Sequence, residues 1–442
     1  MEQGWKDAYA KKLTTADVAA KVVKSGDWVE YAFGLCGSEA FDQALAKRKD
    51  ELSDVKIRCD IGAYRHHTLE ASSEVFTWNS WHVAGHDKAW LNKGLYYIPM
   101  KFHECPVLTR NNCVPTNVFV AQVSSMDKHG YFSWGVGAPS SMAAFETADV
   151  CILEVNPKMP RVLGGEQECI HVSQVDHIIE VDNDLPTIPD NPPNEVETRI
   201  AQQIIPRLRD GCCIQLGIGG VPNAVGGLIA ASDLKDLGVH TEMYVDAYVK
   251  MTEAGKITGK YKNFDRYKQV FSFAMGTQKL YDFIDDNPGC VAYSVDYVNT
   301  PSRIARLDNF VSINACVELD LFGQVCSESI GTRHISGTGG QLDFVEGAYK
   351  SKGGQSFICT PSTKEIKGKT VSTIKPTLTT GAIVTSPRTA THMIVTENGI
   401  ADLKGKSTWE RAEALIAVAH PDFQEQLVKE AEAMNIWRKS NK

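Results

Sequence analysis

Between Gly211 and Met243 the chain reads GCCIQLGIGGVPNAVGGLIAASDLKDLGVHTEM, an order that few local structures satisfy. Cys212 to Leu216 is an apolar run of strand length, and it breaks at Gly217, Gly219 and Gly220. A helix-compatible run with Pro222 near its start follows. About one βαβ step later Glu242 stands among strand formers, flanked by His240, Thr241 and Met243. The backbone of such a turn can cradle an anion, and a lone acid brought near it points to acyl chemistry without a metal.

The same alternation runs through the chain. Trp28 to Phe33 reads as a strand, Glu39 to Lys47 as a helix and Val55 to Cys59 as a strand, the pattern of α/β layers. With 442 residues and an apolar fraction of 43%, there is material for two large α/β domains, each with its own core. The clearest punctuation is Asp182 to Asn194, where four prolines interrupt any helix or central strand. The boundary is expected there, giving domains 1–188 and 189–442. The halves also read as distant copies. A strand ending in a glycine turn recurs at Gly34 and Gly217, and Asp127-Lys-His-Gly130 is echoed by Asp320-Leu-Phe-Gly323.

Several classes are disfavoured. The net charge of −8 argues against general nucleic-acid binding. The twelve cysteines are scattered, so reduced thiols are expected. No CxxC or HExxH occurs, and His66, His67, His82 and His86 lack a second group of ligands, so no metal site is expected. The first residues, MEQGWKDAYAKKL, carry no apolar signal region, and no run has the length to cross a bilayer. A soluble, cytoplasmic protein is the expectation.

The GIGG turn resembles a dinucleotide fingerprint, but Pro222 stands where its third glycine belongs, which speaks against NAD. A second glycine-rich segment runs from Gly331 to Gly354. Gly337, Gly339 and Gly340 can turn their N–H groups towards one oxygen. Leu342, Phe344, Val345 and Ala348 follow at helical spacing, which places these glycines at a helix N-terminus, where anions are stabilised. Lys350, Lys352 and Lys367 lie nearby as candidate cations. Trp28, Tyr31, Phe33, Trp78 and Trp81 suit an acyl pocket or, more simply, a core.

In order along the chain, FTWNSWHVAG, MDKHGYFSWG, CILEVNPKMPRVLGG, GIGGVPNAV, GVHTEM, YVNTP, SINACVELDLFGQVCSESIGTR, SGTGGQLDFVEGA, VTENGIADLKGKS and ALIAVAHPDF resemble the acyl-CoA:carboxylate CoA-transferases of the butyryl-CoA:acetate and 4-hydroxybutyrate type. That superfamily also holds acetyl-CoA hydrolases. The resemblance implies two related open α/β domains of the CoA-transferase type, with the active site in the cleft between them. It implies a ping-pong reaction through glutamyl anhydride and glutamyl-CoA thioester intermediates, with Glu242 of HTEM as nucleophile. Oxyanion donors would be Ile218 or Gly219, Gly339 or Gly340, and the side chain of Asn299 in YVNTP. Gly217, Gly220, Gly337, Gly339 and Lys350 would help hold coenzyme A, which is substrate rather than bound cofactor.

Butyryl-CoA and acetate are the leading substrates. Other expected readings are a 4-hydroxybutyrate or arylacrylate transferase, or an acyl-CoA hydrolase. Resemblance to dimers and tetramers implies a homo-oligomer. Glu397 in TENGI is the rival nucleophile, because 3-oxoacid CoA-transferases use a similar ENG sequence. Two features depart from the pattern. Ala247 replaces the glycine usual after HTEM, and the turn AFGLCGSEAF differs from the GxPxAL form of the 4-hydroxybutyrate enzymes.

Overall fold

In the computed structural model, residues 2–111 and 113–438 are described. The chain divides into two compact units, Met1–Pro189 with Gln269–Val298, and Asp190–Lys268 with Asn299–Lys442. The proline-rich stretch between Asp182 and Asn194 carries neither helix nor strand.

The first unit is built on seven strands: β1 (Trp28–Tyr31), β2 (Val55–Cys59), β3 (Phe76–Ser80), β4 (Leu95–Tyr97), β5 (Val118–Val123), β6 (Val150–Val155) and β7 (His177–Glu180). Their order is β7-β6-β5-β1-β2-β3-β4, and every pairing is parallel. All six residues of β5 are buried, as a parallel strand covered on both faces requires. Tyr31 and Trp78 belong to this core, together with Phe41, Ile57 and Phe76, and Phe33 and Trp81 are buried too. Packing therefore accounts for most of the aromatic residues read from this half. Helix α1 (Glu39–Ala46) follows the glycine turn after β1.

The second unit begins with α2 (Glu195–Ile204), capped reciprocally by Asn194 and Glu197, whose side chain and backbone groups satisfy each other's donors. Then come β8 (Cys213–Leu216), α3 (Gly220–Ala231), β9 (Gly238–Tyr244) and α4 (Asp246–Glu253). After these lie β10 (Phe310–Ala315), α5 (Gln341–Lys350), β11 (Gln355–Cys359), β12 (Met393–Thr396) and β13 (Gly399–Asp402). Within the unit the strands run β13-β12-β11-β10-β8-β9, parallel except for the β12–β13 hairpin. β8 sits between β9, its successor in the chain, and β10, which the chain reaches much later. Crossovers diverge to either side of β8, and in open α/β sheets ligands bind beyond the carboxyl ends of strands at such a switch point.

The echo between halves extends to hydrogen bonds. Gly130 N–H reaches Asp127 O at 3.0 Å, and Gly323 N–H reaches Asp320 O at 2.9 Å. Each aspartate carboxylate also accepts from the N–H groups two and four residues on, His129 and Tyr131 in one case, Phe322 and Gln324 in the other. Gly130 and Gly323 both adopt positive φ, 90° and 88°.

Ala247, the departure after HTEM, is buried on α4. A Cβ on Gly226 of α3 would come within 2.6 Å of its methyl group. The two positions therefore share one methyl's worth of space. Gly226→Ala should cost about 1–3 kcal/mol through overpacking, despite alanine's better helix propensity. Adding Ala247→Gly should recover most of the loss. Urea unfolding of the two variants tests this, and equal midpoints for them would show that the space is not shared.

Candidate active site

Glu242 is the one partly exposed residue on the otherwise buried strand β9. His240 and Thr241 before it are fully enclosed, so the strand delivers a single carboxylate to a place with some solvent access. Asn299, wholly buried at the end of a short helix (Val295–Asn299), donates from Nδ2 to Glu242 Oε2 at 2.5 Å. Asn299 Oδ1 is buried with no hydrogen-bond partner, a cost that calls for a reason. The backbone N–H of Gly340 also donates to the Glu242 carboxylate. Gly340 is the N-cap of α5, so the carboxylate lies at the positive end of a helix dipole.

Only glycine suits position 340. A Cβ there would overlap Glu242 Oε2 and Asn299 Nδ2. Gly339 before it turns the chain at φ 52°. The loop leading to this turn is tied to Glu328. Its carbonyl accepts from Ile335 and Ser336 N–H at 2.7 and 3.2 Å, and its carboxylate accepts from the Thr338 hydroxyl at 3.2 Å.

Burial pushes the Glu242 carboxyl up to about 8, and the nearby negative charge of Asp343, in the first turn of α5, adds to the rise. The donors from Asn299 and Gly340 pull the other way and lose. The group is therefore poorly solvated and rich in energy when ionised.

On the other side of the strand pair, the register of β8 and β9 sets Cys213 against Gly238 and Ile214 against Val239. Continued three residues, it brings Gly217 level with Glu242. Gly217 N–H is used in the sheet, bonded to Ile313 O at 2.9 Å. Gly219 has φ 121° and open space where a side chain would start, and Ile218 is 57% exposed. Gly220 opens α3, and a Cβ there would overlap the Glu197 carboxylate, so its surroundings are structural.

The remaining candidates are spread out. Gly337 lies in the loop held by Glu328. Lys350 is exposed at the last turn of α5, roughly 15 Å of helix from Gly340 at 1.5 Å per residue. Glu397 sits in the β12–β13 hairpin, where its carboxylate accepts from the Ser362 backbone N–H at 2.9 Å and from the Ser362 hydroxyl. That is a turn locked to a neighbouring loop. Asp343 and Glu328 were not singled out by the sequence. An acid in the first turn of the helix after GTGG was the signal for Asp343; the hold of Glu328 on its loop depends on tertiary structure and left none. Among the described residues no cluster of His, Cys, Asp or Glu is arranged to hold a metal, and no helix is long and apolar enough to cross a membrane.

Two family models match. Residues 1–189 match the acetyl-CoA hydrolase/transferase N-terminal domain, and residues 276–431 match the C-terminal domain. The chain belongs to the acetyl-CoA hydrolase/transferase family. It is 69% identical to the probable butyrate:acetyl-CoA coenzyme A-transferase of Syntrophomonas wolfei, over 100% of both chains. To the butyryl-CoA:acetate CoA-transferase of Anaerostipes caccae it is 50% identical, covering 99% of this chain and 100% of that one. The crystal structure of RipA from Yersinia pestis superposes with a TM-score of 0.91 at 37% identity, covering 98% of this chain and 99% of that one.

The raised carboxyl of Glu242 makes a signed prediction. A free glutamate ionises near 4.5, whereas in the folded chain Glu242 keeps its proton up to about 8. Its contribution to stability is whole below the lower value and is lost as pH rises through the upper one. Glu242→Gln has no proton to lose, so its stability relative to the parent should climb from about pH 5 and level off near pH 9. Urea midpoints measured across that range test it, and a constant difference would contradict the assignment.

Proposed function

We propose that this chain is a CoA-transferase that moves CoA between a short-chain acyl-CoA, butyryl-CoA first, and a carboxylate such as acetate. The observation that carries the reading is the Glu242 carboxylate, desolvated yet reachable, with Asn299 and the N-terminus of α5 on it. The names of the two relatives, at 69% and 50% identity over the full chain, favour butyrate and acetate as the acids.

Asn299 anchors Oε2, which leaves Oε1 as the attacking atom. Oε1 adds to the thioester carbonyl, the C–S bond breaks, and CoA departs as thiolate from a mixed anhydride. Ile218 and Gly219 are the proposed donors to the acyl oxygen during this step, a role that suits the open turn beyond β8. The thiolate then adds to the Glu242 carbonyl carbon, and the first acid leaves, giving a glutamyl-CoA thioester. The charge that forms on Oε2 falls where Asn299 Nδ2 already donates, with Gly340 N–H on the same carboxylate. One such donor is worth about 3 kcal/mol of barrier. An acceptor carboxylate runs the steps in reverse, and once Glu242 is ionised no further proton need move. Desolvation raises the reactivity of the nucleophile, and excluding water preserves the thioester.

The coenzyme enters as a substrate in this scheme, with Gly217, Gly220, Gly337, Gly339 and Lys350 as the proposed contacts to its arm and phosphates. All twelve cysteines are free thiols, which favours a reducing compartment, and we place the enzyme in the cytoplasm. A homodimer or homotetramer is proposed by resemblance.

Incubation with butyryl-CoA and labelled acetate should yield labelled acetyl-CoA in step with butyrate. Free CoA in its place would identify a hydrolase. Mass spectrometry of peptides after acyl-CoA treatment should find CoA on Glu242. Glu242→Ala should abolish transfer, at least about 1,000-fold, while Glu397→Ala keeps it. Transfer retained by the first variant would refute the assignment.

A further inference from the structure

The β8–β9 ladder stops short, and a tyrosine hydroxyl is the reason. Successive residues of a strand point their N–H groups to opposite neighbours. Gly217 N–H goes to Ile313 O on β10, so Leu216 N–H points towards β9. It does not meet a carbonyl of β9. It donates instead to the hydroxyl of Tyr248 at 2.7 Å, on the fully buried face of α4. The register accordingly ends at Ile214 and Val239, two residues before Leu216.

Tyr248 is also hydrogen-bonded to the hydroxyl of Thr241, and Thr241 Oγ1 donates to Met243 O at 3.0 Å. The relay therefore joins Leu216 N–H, the Tyr248 and Thr241 hydroxyls, and Met243 O. Its two ends bracket the features that matter. Leu216 is the last residue before GIGG, and Thr241 and Met243 flank Glu242. Tyr248 stacks on Tyr244 at 5.1 Å between ring centroids, which fixes the ring that carries the hydroxyl.

We infer that Tyr248 is a positioning residue: its hydroxyl holds the carboxyl end of β8 away from β9 and sets the spacing between the GIGG turn and Glu242. A backbone ladder at this point would pull the turn against the strand, about 4.8 Å away, and leave no room for a reacting group between them. The hydroxyl replaces the lost carbonyl acceptor, so no donor is stranded by the opening. The inference rests on the proposed role of Glu242 as nucleophile.

Single-turnover formation of the Glu242–CoA adduct from acyl-CoA tests it. Tyr248→Phe should slow adduct formation at saturating acyl-CoA by about ten-fold or more, with KM changed less than about three-fold. Tyr281→Phe is the structural control. Tyr281 is likewise buried and accepts a backbone N–H, from Gly276 at 3.3 Å, so its loss is chemically similar. That variant should form the adduct at the parental rate. A parental rate for Tyr248→Phe, or equal slowing of the two variants, would overturn the inference while leaving the transferase reading intact. Absence of any adduct in the parent would overturn both. If Tyr248→Phe does not fold, Thr241→Val removes the next hydroxyl of the relay and should slow the same step; an unchanged rate there would overturn the inference.

Discussion

The second unit turns on one costly contact, a carboxylate kept out of water. A buried charge has to be compensated, and an ionised Glu242 finds only partial compensation, one side-chain amide and one helix N-terminus, with a second acid nearby, so its proton is held well above the usual carboxylate range. The surrounding structure maintains that state. β9 is buried on both sides of the residue, Gly340 is small enough to approach it, and Glu328 fastens the loop that carries Gly340. Were any of these relaxed, water would reach the carboxylate and it would ionise as an ordinary glutamate does.

The elements that fix this arrangement were legible in uneven measure. Strand β2 falls at Val55 to Cys59 as read from its apolar pattern, and α5 begins directly after the GTGG cluster. Both follow from local residue types, since glycine clusters stop strands and helical spacing is visible in a short window. Asn299 could be reached only through its motif. Its amide meets a residue 57 positions away, and no property of YVNTP alone foretells that meeting. Tyr248 was illegible for a related reason. A tyrosine on a helix reads as core, and the substitution of its hydroxyl for a strand carbonyl exists only once both strands and the helix are in place.

Ala247 illustrates a milder failure of local reading. Against the family pattern it looks like an isolated departure. Beside Gly226 it is half of an exchange, in which one helix carries the methyl group that the other omits. Lys350 shows how distance in sequence and distance along a helix part: close to the glycine motif in sequence, it is carried to the far end of α5 by the helical rise.

The paired aspartate turns at Asp127 and Asp320 bear on how little sequence such a turn demands. Each turn is closed by one carboxylate binding two backbone N–H groups together with two backbone–backbone bonds, and has a glycine where φ is positive. Backbone donors are the same whatever side chain stands beside them. Lys128, His129 and Tyr131 in one turn, and Leu321, Phe322 and Gln324 in the other, thus serve the same closure. Only the acid and the glycine are held, which is why two turns of different composition share just two fixed letters.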